Sequence, residues 1–132
     1  MPEEHVTHAD PYFIDFPKRI RAIQAAMQEH GIDVYLGSRL RTLSWTLDAF
    51  CPWRSFIVIP RDGLPTAFTF VIDAARVADD AWLDAEHVLG YAPMGGQDQV
   101  SAVSDLILAY LKSGQGVVAS RRAWAATCPK AI

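Results

Sequence analysis

Apolar positions along this chain change period several times, and each change marks an element. Phe16, Ile20, Ile23 and Met27 are spaced 4, 3 and 4 apart, which lays one apolar stripe along a helix. Pro17 suits the first turn of that helix, and Gly31 suits the left-handed position that ends it, with His30 in the last turn. The stretch "IDVYLGS" that follows is a short, nearly continuous apolar run, as expected of a strand buried on both faces. A short helix is expected over Leu40 to Leu47, although its threonines and Trp45 have modest helix propensity. "RSFIVIP" then reads as a strand, "RDG" at 61–63 as a hairpin-type turn with Gly63 supplying positive φ, and "PTAFTFVI" as the returning strand.

Asp73 is placed to cap a helix whose Ala74, Val77, Ala81 and Trp82 share a face. "EHVLGY" at 86–91 is a further strand, which makes His87 a strand residue. Asp98 should cap a helix over Gln99 to Ser113 with Val100, Val103, Ile107, Tyr110 and Leu111 as its buried stripe. "GVVAS" at 116–120 is expected to be the last strand, before an alanine-rich tail. One hairpin inside alternating helices and strands predicts an α/β fold: a mixed, partly antiparallel five-stranded sheet flanked by helices. Residues 1–15 read as a flexible arm, 16–120 as the domain, and 121–132 as a tail or the start of a linker.

At 132 residues, 51% of them hydrophobic and 20% charged, the chain fits one globular domain. A net charge of -3 and the lack of any long basic run argue against a nucleic-acid partner. The longest apolar run, Leu106 to Leu111, is far shorter than the roughly 20 residues of a membrane helix, and the acidic N-terminus is no signal peptide. The expectation is a cytoplasmic protein with no membrane partner. Cys51 and Cys128 lie far apart without a Cys-x-x-Cys motif and read as free thiols.

Candidate chemistry is sparse. His5 and His8 stand three apart in an unpatterned arm, and His30 and His87 have only the adjacent Glu29 and Glu86 for company, which is not metal-ligand spacing. Ser38, Ser44 and Ser55 lack a Gly-x-Ser-x-Gly setting. Asp79, Asp80 and Asp84 read as the polar face of a helix. Gly95-Gly96-Gln97-Asp98 precedes a helix, but Asp98 would repel a phosphate there. No catalytic residue, metal ligand or cofactor is therefore expected in this chain. What remains is "WTLDAFCPWR", which concentrates Trp45, Phe50, Trp53 and Arg54 in a partly irregular segment of the kind binding edges use.

The amphipathic helix ending in Gly-Ile-Asp, its buried strand and a hairpin with Val58, Ile59, Pro60, Asp62, Gly63 and Pro65 together resemble the N-terminal domain of the creatinase, aminopeptidase P and prolidase superfamily. The likeness spans Phe16 to Ser120. In a second family motif that tends to carry Asn, Tyr and Gly, this chain offers Thr42, Trp45 and Asp48, which keeps only the aromatic. The resemblance implies that catalysis belongs to a larger C-terminal pita-bread domain, whose carboxylates and histidine hold a divalent metal pair in the peptidases, whereas creatinase works without metal. It implies a noncatalytic domain that supports homodimerisation and substrate access within a hydrolase (Xaa-Pro dipeptidase, aminopeptidase P or creatinase-like). Trp45, Phe50, Trp53 and Arg54 would then line an interface or the route to the active site. The competing expectation is a stand-alone α/β module that binds a small anion or a protein partner.

Overall fold

The computed structural model describes residues 13–52 and 54–113. Helix α1 (Phe16–His30) begins where the Asp15 carboxylate accepts the Lys18 amide at 3.0 Å and Pro17 occupies the first turn. It ends at Gly31 with φ 65°, and the amide of Ile32 bonds back to the Met27 carbonyl at 2.8 Å. Strand β1 (Val34–Gly37) leads into α2 (Leu40–Leu47), which stops at Asp48. Asp48 takes φ 60°, a left-handed conformation that aspartate tolerates better than most side chains. Strands β2 (Phe56–Pro60) and β3 (Thr66–Phe70) form the expected hairpin, with Gly63 at φ 98°. Helix α3 (Ala74–Asp80), a single 3-10 turn (Ala85–His87), β4 (Val88–Tyr91) and α4 (Gln99–Lys112) complete the described chain.

The sheet order is β1-β2-β3-β4, with both β2 pairings antiparallel and β3 parallel to β4. Successive side chains of a strand face opposite ways, so β2 divides its residues between two cores. Ile57 and Ile59 join Ile20, Met27, Leu43, Leu47 and Val77 beneath α1, α2 and α3. Val58 joins Phe68, Tyr91, Val103, Ile107 and Leu111 beneath α4. Helices thus cover both faces of a mixed sheet, as expected of this fold class.

Several expectations need correction. Among the described residues the sheet has four strands rather than five. The expected fifth, Gly116–Ser120, lies outside the described residues, as do the arm up to residue 12 and the tail. His87 is not in a strand: its amide bonds the Asp84 carbonyl at 2.9 Å and closes the 3-10 turn before β4. Asp73 sits at the start of α3 with φ -93° and ψ -10°, and its carboxylate accepts Arg76 at 3.3 Å instead of capping a helix amide. Val100 is 44% exposed, because α4 turns Ala102 and Val103 inward in its first turns. Val71 and Ile72 leave β3 and lie exposed before α3.

Candidate functional site

Because β1, β3 and β4 run the same way and β2 runs against them, the segments after Gly37, Phe70 and Tyr91 and the segment entering Phe56 meet at one rim of the sheet. In open α/β sheets this carboxyl rim is where loops are best placed to bind. Two of the sequence candidates are anchored beside it through their backbones. The carbonyl of Arg54 accepts the Tyr91 hydroxyl at 2.5 Å, and the carbonyl of Phe50 accepts the Arg76 guanidinium at 2.9 Å. Each side chain is left exposed, Phe50 at 57%. Exposed Ile72, at 77%, and Met94, at 75%, leave β3 and β4 at the same rim.

Trp45 is elsewhere. It stands on α2 facing α1, where the Arg19 guanidinium lies over its ring at 4.5 Å and donates to its carbonyl at 2.8 Å. Trp53 lies outside the described residues. The described candidates thus divide between the rim, with Phe50 and Arg54, and the α1–α2 face, with Trp45.

Burial governs the ionisable groups near the rim. It pushes the Tyr91 phenol up, while the Arg54 charge pulls it the other way. It also pushes the Cys51 thiol up against the opposing pull of Arg76 and a hydrogen bond with Ser55, leaving a buried thiol poorly suited to nucleophilic work. One carboxylate oxygen of Asp73 meets Arg76, and the other is buried without a hydrogen-bond partner. Among the described residues no group of three or more His, Cys, Asp or Glu could hold a metal ion. No helix there is long and apolar enough to cross a membrane.

Two features escaped sequence reasoning. Thr66, on β3, places its hydroxyl 2.9 Å from the Tyr110 hydroxyl on α4 and 3.4 Å from His87 Nδ1, beside a hollow of about 350 Å³. These residues are 44 and 21 positions from Thr66, so no local motif announces them. Thr66 is only 1% exposed, and its hydroxyl bridges β3 to α4 through the Tyr110 hydroxyl. The second feature is an apolar groove of about 660 Å³ along α1, with Trp45 on its wall. Its lining includes Ala22 and Ala26, exposed small residues of α1 that share the groove with Trp45 of α2.

No family model matches the sequence, and no curated protein matches it. Solved structures do. The creatinase/prolidase N-terminal domain of an X-Pro dipeptidase from Streptococcus pyogenes superposes with a TM-score of 0.50 at 19% identity, over 56% of each chain. A proline dipeptidase from Streptococcus agalactiae gives 0.50 at 17% identity over 57% of each. The N-terminal domain of Xaa-Pro dipeptidase from Lactobacillus brevis gives 0.58 at 14% identity, over 74% of this chain and 69% of that one. The match thus spans little more than half the length of the two streptococcal chains. This mixed α/β domain has the fold of the creatinase/prolidase N-terminal domain.

Proposed function

We propose that the chain is the noncatalytic N-terminal domain of a cytoplasmic creatinase or Xaa-Pro peptidase-like hydrolase. On this reading bond cleavage belongs to a C-terminal pita-bread domain with its own divalent metal pair. The present domain supports homodimerisation and shapes substrate access, Arg54 offering charge-assisted hydrogen bonds to a substrate carboxylate and Phe50 an apolar wall. The likeness in fold to domains of Xaa-Pro dipeptidases carries this reading. The exposed aromatic and arginine at one sheet rim support the assigned roles.

The test is an assay of the purified 132-residue chain on Xaa-Pro dipeptides with added manganese, together with the reading frame downstream of Ile132. The expected results are no turnover and an open frame rich in Asp, His and Glu. Stoichiometric hydrolysis-competent metal in the chain would overturn the noncatalytic role. A stop codon directly after Ile132 would favour the stand-alone binding module.

A further inference from the structure

Ala22 and Ala26, exposed on α1, line a groove together with Trp45 of α2 and Tyr35 of β1. The groove is apolar, has a volume of about 660 Å³, and is walled also by Ile23, Met27 and Ile32. That volume lies within the range of small-molecule sites, roughly 300–1,000 Å³. A second hollow of about 400 Å³ continues it, sharing Ala22 and Trp45, and brings in Asp15, Lys18 and Arg19. Charge there is not balanced. The Asp15 carboxylate already serves as the α1 cap, accepting the Lys18 amide at 3.0 Å. Arg19 is held over Trp45 with one nitrogen on the Trp45 carbonyl at 2.8 Å, and a guanidinium carries five N–H donors.

From this apolar trough with a cationic end we infer a binding site for an apolar carboxylic acid, its chain lying against Ala22, Ala26, Met27 and Trp45 and its carboxylate toward Lys18 and Arg19. The charge selects the head group and the alanines admit the tail. Because the site lies on the α1–α2 face, it is independent of the role proposed for the sheet rim.

Calorimetric titration of the 132-residue chain with decanoate, decylamine and decanol tests this site. Decanoate should saturate one site per chain, with decylamine at least about tenfold weaker and decanol between them. Ala26→Leu and, separately, Ala22→Met put good helix formers at exposed positions and should each weaken decanoate at least about tenfold while leaving the thermal midpoint in place. Lys18→Gln should weaken decanoate but not decanol. Equal affinity for decanoate and decylamine, or unchanged binding in both filled variants, would overturn the site. So would sedimentation showing that Ala26→Leu dissociates a dimer, which gives the groove to a second copy. Binding that appears only once residues 1–12 are removed would give it to the chain's own N-terminus.

Discussion

The indole nitrogen of Trp82 donates to the carbonyl of Thr46 at 2.6 Å, tying the end of α2 to the segment that follows α3. Thr46 belongs to the last turn of α2, where carbonyls have no helical partner, and it is 0% exposed, so water does not substitute. Trp82→Phe keeps most of the packing and removes the donor. It should cost about 1–3 kcal/mol in urea unfolding, the range for stranding a buried acceptor. A loss below a few tenths of a kcal/mol would show that the bond adds little to the α2–α3 junction.

Gly37 ends β1 where the chain enters α2, and there is no room for a side chain. A Cβ there would stand 2.8 Å from Thr42 Cγ2 and 3.1 Å from Ile57 Cγ2. Both neighbours are β-branched and buried, so neither swings aside cheaply. Gly37→Ala should destabilise by about 1–3 kcal/mol, as overpacked core substitutions do, and a denaturant midpoint reads it directly.

The Asp98 carboxyl is held below its ordinary value, first by the Ser101 amide at 2.9 Å and then by the Ser101 hydroxyl at 2.9 Å. A lowered folded-state value means the cap stabilises α4 fully above the ordinary carboxylate range. That contribution fades as pH falls toward and through the lowered value. Asp98→Ala should therefore lower the melting midpoint at neutral pH, and the gap to the parent should narrow in acid. Asp98→Asn, which keeps an acceptor, should fall between them, and a gap that does not change with pH would rule out the charged cap.

Cys51 is 3% exposed and burial raises its thiol value, so little thiolate meets solvent in the folded state. In a Cys128→Ser background, labelling with a disulfide reagent at neutral pH should be slow in buffer and should accelerate through the unfolding transition. Fast labelling under native conditions would contradict the burial of this thiol.

Arg54 separates structural from functional contributions, because it is the backbone carbonyl, not the side chain, that receives the Tyr91 hydroxyl. Arg54→Ala should leave stability within about 0.5 kcal/mol, as surface substitutions do. In a full-length enzyme of the proposed kind it should raise KM with little change in kcat. Unchanged kinetics would remove the role given to the guanidinium.

Most elements were legible in the sequence because their signals are local. The α1 stripe, Pro17 and Gly31 act within a few residues of one another, and the Asp98 cap needs only Ser101. The same locality explains the errors. Asp73 has the chemistry of a cap, but its carboxylate is drawn to Arg76 one turn on, and His87 looked like a strand residue until the 3-10 turn set its place. For the candidate site, the sequence singled out Phe50 and Arg54 as a binding edge, and both stand exposed beside the sheet rim. It also joined them to Trp45, which the packing of α2 on α1 turns toward Arg19 instead.

By itself, then, the sequence determined the order of the described helices and strands, the Gly31 end of α1, the Asp98 cap of α4, the Gly63 turn, and the mixed hairpin-and-crossover character of the sheet. Periodicity and capping are properties of near neighbours, and short-range energies decide them. Tertiary structure alone decided which side chains from distant segments meet: Trp82 with Thr46, Thr66 with Tyr110, and α1 with Trp45 across a groove lined by two alanines. Those meetings depend on how helices seat on the two faces of the sheet, a packing outcome that no local stretch of residues encodes.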